Sequence, residues 1–265
     1  MKNLIAFLFV LVVSLGSTTC LAQAVLIDSI FVCGTTAEGE IYVFEKGEWQ
    51  PMTDNLLKAI TVNNKGLIWG ADFMGTLWRQ VGSYGWILYP VEKKVLDISM
   101  VKDLIWVIDD SLNTYFFNYK TTKWYPADIK LKCIDVGMNG NVAGISADGK
   151  LFKSDYLPMQ FRNGPFEEIP FEQKFVDAAG GDISYAITEK GELYFYLGIS
   201  KEQNSASHEW LKINSEPLSR IDVDGEGTLW AIDLDGNVLS YSDNRWTEYD
   251  VELAEIAASG FQSKR

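Results

Sequence analysis

The stretch that decides the fold is Ile221–Tyr241, which reads IDVDGEGTLWAIDLDGNVLSY. Its acidic residues are spaced as in a calcium-binding loop, with Asp222 at the first position and Asp233 at the twelfth. The same stretch matches five other segments of the chain, however. Its spacing is therefore better interpreted as one copy of a repeat than as an isolated metal site.

Short strings of the form Ile-Asp-Val recur along the chain at intervals of 36, 38, 42, 45 and 35 residues. A period near forty is typical of a propeller blade or of a helical repeat. The first residues of these six strings are Ile60, Leu96, Ile134, Val176, Ile221 and Ile256.

Aligning the six copies places all nine tryptophans in three columns. Within each copy the segments are short, rich in β-branched and aromatic residues, and bounded by Gly, Asp and Asn, which favours strands over helices. Each copy also has a short side-chain oxygen three residues before a glycine, which predicts a tight hairpin turn. Leu112 replaces that glycine in the third copy and predicts a distorted turn there. The turn residues are Thr36, Asp72, Asp109, Ser146, Thr188 and Asp233.

The six copies predict an all-β fold, a six-bladed β-propeller of four-stranded antiparallel blades that occupies residues 25–261. The first copy, Val25–Trp49, lacks its leading strand, whereas Ala254–Gly260 is a strand without a copy of its own. We therefore predict that the C-terminal strand completes the first blade and closes the ring, which covers exposed strand edges. Residues 262–265 form a short polar tail.

Residues 1–24 have the features of a cleavable secretory signal peptide, with Lys2 before the apolar core Leu4–Leu15 and small residues at Ala22–Ala24. We expect a secreted, extracellular protein without membrane insertion. Removal of the signal leaves 22 basic against 36 acidic residues. A chain of this charge is not expected to bind nucleic acid.

The sequence offers little for catalysis, for a cofactor or for a metal ion. His208 is the only histidine and lies in a polar insertion, so a Ser–His–Asp system is not predicted and we do not expect an enzyme. Cys33 and Cys133 are predicted on blades one and four, too far apart for a disulfide bond, as two buried free thiols. A secreted hydrolase with its site in the central channel is kept as an alternative.

The aspartates of the Ile-Asp-Val strings are predicted to share one column on the innermost strands. Such a column could hold a cation in the channel, but buried carboxylates usually accept hydrogen bonds from backbone amides. We therefore interpret them as ties between neighbouring blades. The column holds Asp97, Asp135, Asp177 and Asp222, with Thr61 and Ala257 in the other two copies.

The segments LKCIDVGMNGNVAGISADGKLF (Leu131–Phe152) and LKAITVNNKGLIWGADFMGTLW (Leu57–Trp78) resemble tectonin repeats, and the resemblance covers nearly the whole chain after the signal. It implies a secreted six-bladed propeller lectin, monomeric or a weak homo-oligomer, that binds lipopolysaccharide or cell-surface glycans in innate defence. Asp224–Tyr241 also resembles the repeats of bacterial sensor propellers, which have a G-x-LW core.

Sugar recognition needs exposed aromatic faces beside amide and carboxylate groups, and Asn244 is a candidate hydrogen-bonding group. Four tryptophans that follow polar loops are candidates for stacking, although a regular aromatic column normally packs in the core, and we favour wedges between blades. A protein-interaction or matrix scaffold without sugar binding is the alternative function. The candidate tryptophans are Trp86, Trp124, Trp210 and Trp246.

Overall fold

The computed structural model describes residues 30–82, 85–118, 121–157, 162–180, 185–202 and 205–259. The predicted signal peptide, residues 1–24, and the predicted tail, residues 262–265, lie outside the described residues, as do both ends of the predicted propeller domain. The described chain forms six four-stranded antiparallel sheets and one small two-stranded hairpin. The predicted six-bladed propeller is confirmed. No helix among these residues is long and apolar enough to span a bilayer.

Each blade runs from an innermost strand at the central channel to an outermost strand at the rim. In chain order, blade 1 contains β1 (Phe31–Thr35), β2 (Glu40–Glu45) and β3 (Glu48–Leu56). Blade 2 contains β4 (Ala59–Val62), β5 (Ile68–Ala71), β6 (Leu77–Val81) and β7 (Gly85–Leu88). Blade 3 contains β8 (Val95–Val101), β9 (Leu104–Asp109), β10 (Asn113–Asn118) and β11 (Lys123–Lys130).

The second half of the ring follows the same order, and blade 4 also carries the small hairpin. Blade 4 contains β12 (Cys133–Val136), β13 (Val142–Ile145), β14 (Leu151–Ser154), the hairpin β15 (Tyr156–Leu157) and β16 (Arg162–Asn163), and β17 (Glu167–Ile169). Blade 5 contains β18 (Phe175–Ala179), β19 (Tyr185–Thr188), β20 (Leu193–Glu202) and β21 (Ser205–Ile213). Blade 6 contains β22 (Leu218–Val223), β23 (Leu229–Asp233), β24 (Asn237–Ser242) and β25 (Arg245–Glu252), and β26 (Glu255–Ser259) follows it.

Strand β26 closes the ring by joining blade 1 as its innermost strand. It pairs antiparallel with β1 in a register that runs from Phe31 opposite Ser259 to Thr35 opposite Glu255. Leu253 and Ile256 are buried beside this pairing. The predicted closure of the first blade by the C-terminal strand is therefore confirmed.

The hairpin turns between the second and third strands of the blades keep one geometry around the ring. In each turn the predicted side-chain oxygen accepts a hydrogen bond from the amide four residues on, at 2.8 Å for Asp72 and 3.3 Å for Thr188. Leu112 adopts φ 64° and donates to the Asp109 carbonyl at 2.9 Å, as the glycines do elsewhere. The expected distortion of the third turn is wrong, because Leu112 itself takes the left-handed conformation.

The same turns also connect neighbouring blades. The carbonyl of the glycine, or of Leu112, accepts a hydrogen bond from the residue that begins the next innermost segment, at 2.9 to 3.1 Å in all six copies. The turns and the links between blades therefore lie on one face of the disc, which we call the turn face. The six donors are Leu57, Val95, Leu131, Phe175, Leu218 and Leu253.

The apolar core lies between the blades. Each of six buried clusters contains residues from two neighbouring blades, and a partly buried aromatic residue of an outermost segment packs against every one of them. This arrangement explains why the last aromatic column repeats so regularly. These six residues are Trp49, Trp86, Trp124, Phe166, Trp210 and Trp246.

Candidate functional site: the channel and the turn face

The innermost strands of all six blades line a central channel of about 430 Å³. The predicted single column of aspartates is wrong, because the strand pairing places them in two tiers. Asp135 and Asp222 lie opposite the second-strand residues Ala143 and Trp230, whereas Asp97 and Asp177 lie opposite Ile108 and Ile187, two residues nearer the start of their strands.

Each innermost segment begins at a buried residue whose amide donates to the preceding turn. The residue two positions after this donor belongs to the first tier, and the residue four positions after it belongs to the second tier. The first tier holds Ala59, Asp97, Cys133, Asp177, Arg220 and Glu255. The second tier holds Thr61, Ser99, Asp135, Ala179, Asp222 and Ala257.

In both tiers, side-chain oxygen atoms accept hydrogen bonds from backbone amides of the blade that follows in the chain. In the first tier, Asp97 accepts the Ile134 amide at 2.9 Å and Asp177 accepts the Ile221 amide at 3.0 Å. In the second tier, Asp222 accepts the Ala258 amide at 2.8 Å. The interpretation of these carboxylates as ties between blades is confirmed.

The second tier continues this pattern with smaller side chains as well as carboxylates. The Thr61 hydroxyl accepts the Met100 amide at 3.1 Å, and Asp135 accepts the Gly180 amide at 2.7 Å. The Ser99 hydroxyl both accepts the Val136 amide and donates to Asp135, each at 3.0 Å. These contacts leave little carboxylate capacity for a ligand, and no group of metal-ligating side chains occurs in the part of the chain that the structure describes.

The channel perturbs the carboxylates that line it. Burial, reinforced by the Glu255 carboxylate, raises the pKa of Asp97 to about 7. Burial also raises the pKa of Asp177 to about 6, although Arg220 opposes the shift. The pKa of Asp222 is raised well above its ordinary value, because the group is buried and Asp135 lies nearby.

We expect the protein to gain stability as the pH falls from 8 to 5. A carboxylate whose pKa is raised by folding binds more protons in the native state than in the unfolded state between about pH 4 and 7, so the free energy of unfolding decreases as pH rises through that window. The groups around Asp97 and Asp177 are Cys133, Arg220, Glu255 and the other channel aspartates, with Lys58 and Lys132 also lining the channel. Urea unfolding at the two pH values, at equal ionic strength, measures this dependence.

The Asp97→Asn/Asp177→Asn variant is the matched control for this expectation. An amide keeps one oxygen to accept the Ile134 or Ile221 amide but carries no charge, so the variant should show a smaller change in stability between pH 5 and 8. An unchanged pH dependence in the variant would contradict the assignment to these two groups.

The two predicted thiols occupy different environments. Cys33 and Cys133 are both free, Cys33 is buried, and Cys133 is only partly buried and lines the channel. The Cys133 thiol donates to Asp177 at 3.4 Å, and burial together with Asp177 and Asp97 raises its pKa well above the ordinary value. The expectation of two buried thiols is therefore met by Cys33 alone.

The stretch with calcium-like spacing is a structural turn. One oxygen of Asp224 accepts the Glu226 and Thr228 amides at 2.9 and 3.0 Å, and the other accepts the Trp230 indole N–H at 3.0 Å. Asp224 is 3% exposed. Because internal donors occupy both oxygens of this buried carboxylate, the turn provides no open cation site.

All four tryptophans proposed for sugar stacking are half-buried and lie between blades. Trp86 packs against the cluster of blades 1 and 2, Trp124 against that of blades 2 and 3, and Trp210 against that of blades 4 and 5. Trp246 packs between blades 5 and 6 and donates to the Asn214 carbonyl at 3.1 Å. The structure therefore brings none of the four together, and each acts as a wedge.

Asn244 and His208 have local roles that the structure also defines. Asn244 lies in the turn before β25 with φ 59° and accepts a hydrogen bond from the Tyr241 hydroxyl at 3.2 Å. The His208 ring stacks on Tyr196 and shares a hydrogen bond of 2.7 Å with its hydroxyl.

The turn face carries an apolar surface that the sequence-based predictions missed, which we call the blade 2 patch. Phe73 and Met74 form the middle of the blade 2 turn and are 54% and 73% exposed. Leu56 and Leu88 flank them at 52% and 55% exposure. Leu56, Phe73 and Met74 line one depression, and Met74 and Leu88 border a second, so the four side chains form one surface.

The aligned turn sequences already distinguish blade 2 from the other blades. In the other five turns the two middle residues are small or charged, with Leu234 as the single large apolar side chain. Large exposed apolar patches on a soluble domain mark binding surfaces. The other five pairs are Ala37 and Glu38, Asp110 and Ser111, Ala147 and Asp148, Glu189 and Lys190, and Leu234 and Asp235.

Comparison with known proteins supports the fold and leaves the family open. No protein-family model matches the chain, and a comparison with curated proteins finds no match. A chain in a nidogen–laminin complex has a TM-score of 0.64 and 10% identity, with 87% of this chain and 98% of that chain covered. The chain thus belongs structurally with β-propellers, while tectonin membership rests on the sequence resemblance alone.

Two further solved propellers are similar at the level of the fold. Prp20p from Saccharomyces cerevisiae has a TM-score of 0.53 and 10% identity over 90% of this chain and 92% of that one. YCF48 from Cyanidioschyzon merolae has a TM-score of 0.52 and 11% identity over 84% and 85%.

Proposed function

We propose that the chain is a protein-binding propeller, without catalytic activity, that docks a partner on its turn face at the blade 2 patch. The observation that carries this proposal is the exposed Phe73–Met74 pair, since the other five turns place small or charged residues at these positions apart from Leu234. Burying such side chains in an interface contributes about 1.5 to 3 kcal/mol each. The sequence of residues 1–24 supports a role outside the cell.

The similar solved structures are compatible with this role. One is a chain within a nidogen–laminin complex, and another describes yeast RCC1 with Kap60 bound, at a TM-score of 0.54 and 10% identity. Propellers present a rigid disc whose loops vary without disturbing the blades, so protein binding is a common use of the fold. The channel supports catalysis less well, because its aspartates accept interblade amides.

A secreted lectin of the tectonin type is the second candidate function. One observation favours it, since Trp124 borders a groove of about 960 Å³ between blades 2 and 3 together with Tyr89 and Tyr115. Aromatic rings beside polar groups suit sugar stacking. All four candidate tryptophans are wedges between blades, and of the four only Trp124 lines this groove, so protein binding is our first proposal.

We expect the Phe73→Ser/Met74→Ser variant to bind protein partners about tenfold more weakly than the wild type, or worse. Central apolar side chains dominate interface energies, while their exposure in the free protein means that replacing them changes folding little. To measure this, a displayed library of protein fragments from the source organism is screened against the wild type. The dissociation constants of the selected fragments and the melting temperatures are then compared between the wild type and the variant.

The Ala147→Ser/Asp148→Ser variant is the matched control, because it alters the equivalent turn of blade 4. It should bind as the wild type does. A glycan array run in parallel decides between the two candidates. Glycan binding that persists in the Phe73→Ser/Met74→Ser variant, with no fragment bound by the wild type, would overturn the first proposal in favour of the lectin.

A further inference from the structure

The groove between blades 2 and 3 exists because one outermost strand is short. β7 has four residues, whereas β3 has nine and β11 has eight. The still shorter β17 of blade 4, with three residues, is accompanied by the β15–β16 hairpin. Blade 2 therefore leaves part of the facing side of blade 3 uncovered, and the resulting groove of about 960 Å³ opens beside Met74 and Leu88 of the blade 2 patch.

Tyr89 and Trp124 line this groove, and a row of aromatic contacts connects them to the core through the buried rings of Trp69 and Phe117. Trp69 contacts Tyr89 with ring centroids 4.7 Å apart, and Tyr89 contacts Phe117 at 5.6 Å. Phe117 in turn contacts Trp124 at 5.2 Å. Because Trp69 and Phe117 are buried in the core, they support Tyr89 and Trp124 from behind, and these two rings present an apolar surface to the groove.

The rim of the groove is basic, although the protein is strongly acidic. Three lysines and one glutamate line the groove, while the chain has a formal net charge of −13. Lys93 lies 3.8 Å from Asp109 and 4.6 Å from the Tyr115 ring centroid. Lys94 and Lys123 are exposed and form no ion pair within the described part of the chain.

We infer that this groove binds an extended acidic peptide segment of the partner. Its bulky apolar side chains contact Tyr89, Trp124 and Met74, and its carboxylates pair with Lys94 and Lys123. The inference rests on the proposed protein-binding function and specifies the chemistry of the segment. Charge complementarity selects this occupant, since a local basic rim on an acidic molecule attracts acidic ligands and repels basic ones.

The volume of the groove is consistent with a short segment. Cavities that enclose small ligands measure about 300 to 1,000 Å³, so the groove accommodates a few residues and not a folded domain. Two of its lining residues are Pro90 and Pro126, which have no backbone N–H to donate. Recognition should therefore depend on side chains and not on addition of a strand to the blade.

The test is to select a displayed library of random nine-residue peptides against the full chain at low salt. We expect enrichment of peptides that combine one or two large apolar residues with several Asp or Glu residues. The selected peptide, labelled with a fluorophore, should bind about tenfold more weakly to the Lys94→Glu/Lys123→Glu variant and more weakly at high salt.

The Lys65→Glu/Lys190→Glu variant is the control, because it changes the net charge equally at two exposed lysines away from the groove. It should bind the selected peptide as the wild type does, and both variants should melt with the wild type. Enrichment without acidic residues, or equal weakening in both variants, would overturn the inference. So would failure to select any peptide while an acidic oligosaccharide binds in a manner that depends on Lys94 and Lys123.

The result separates this inference from the proposed function. If the protein fragments bound through Phe73 and Met74 still bind the Lys94→Glu/Lys123→Glu variant at full strength, protein docking stands and the acidic groove ligand is wrong. If neither fragments nor peptides bind the wild type, the proposed function itself fails.

Discussion

A chain that lacks residues 251–265 should lose its cooperative thermal transition and its fixed aromatic environment. Strand β26 supplies the innermost strand of blade 1, and Leu253 and Ile256 are buried beside it. Each such side chain contributes about 1.5 to 3 kcal/mol, and the lost strand pairing exposes further core, so the deficit approaches the whole stability of about 5 to 15 kcal/mol of an ordinary domain.

Strand β26 is packed closely against blade 1 and is also held by blade 6. A Cβ placed at Gly34 would lie 2.5 Å from both the Glu255 carbonyl and the Leu253 side chain, so the two strands fit only at this close approach. Arg220 of blade 6 also holds Glu255 through two hydrogen bonds of 2.9 and 3.1 Å.

Near-ultraviolet circular dichroism during heating measures the effect of this truncation. A chain that ends at Ser259 is the control, since it retains all of β26, and it should melt with the full chain. A sharp transition at the same temperature in the shorter chain would show that the ring is stable without its closing strand.

The Asp224→Ala variant should lose about 3 kcal/mol or more of unfolding free energy. This carboxylate accepts hydrogen bonds from two backbone amides and from the Trp230 indole, and it is almost fully buried. Hydrogen bonds to a charged group contribute about 1.5 to 3 kcal/mol each, and their loss leaves buried donors unsatisfied. Urea unfolding at pH 7 measures the change.

Two further variants calibrate this expectation. Asp224→Asn keeps one acceptor oxygen for the amides and should lose roughly half as much stability. Asp235→Ala removes an exposed carboxylate from the neighbouring hairpin and should stay within about 0.5 kcal/mol of the wild type. An Asp224→Ala variant as stable as Asp235→Ala would mean that the Asp224 contacts contribute nothing.

The repeat was sufficient to predict the blades, the turns and the closure of the ring. The turn residues could be recognised because a side-chain oxygen and a left-handed residue three positions later are local requirements. The turn has the same hydrogen bond and left-handed backbone conformation at Leu112, which replaces the glycine. Such features depend on a few consecutive residues, so they can be predicted from the sequence.

The two tiers in the channel could not be read from the Ile-Asp-Val strings. The strings place all four aspartates in one column, but Asp97 follows the buried donor Val95 by two residues while Asp135 follows Leu131 by four. Register depends on where a segment first pairs with its neighbour, and the three-residue strings do not include the buried donor at which each innermost segment begins.

The functional surfaces were also hidden, for a different reason. The exposure of a large side chain depends on whether the neighbouring blade reaches far enough to cover it, as the short β7 shows for blade 2. The tryptophans were conspicuous in sequence but are wedges, whereas Phe73 and Met74 became informative only as exceptions to the other turns.

The interblade ties have a direction, and this gives the ring an order of assembly. Oxygens in blades 2 to 6 reach the amides of the blade that follows in the chain, so each blade emerging during synthesis finds its acceptors already in place. Ala257 holds the second-tier position of blade 1 and offers no side-chain oxygen to blade 2. Among the described residues, the interface of blades 1 and 2 is thus the single one without a channel tie. A backbone hydrogen bond, apolar packing and the contact of the Gln80 amide with the Met52 sulfur resist separation there.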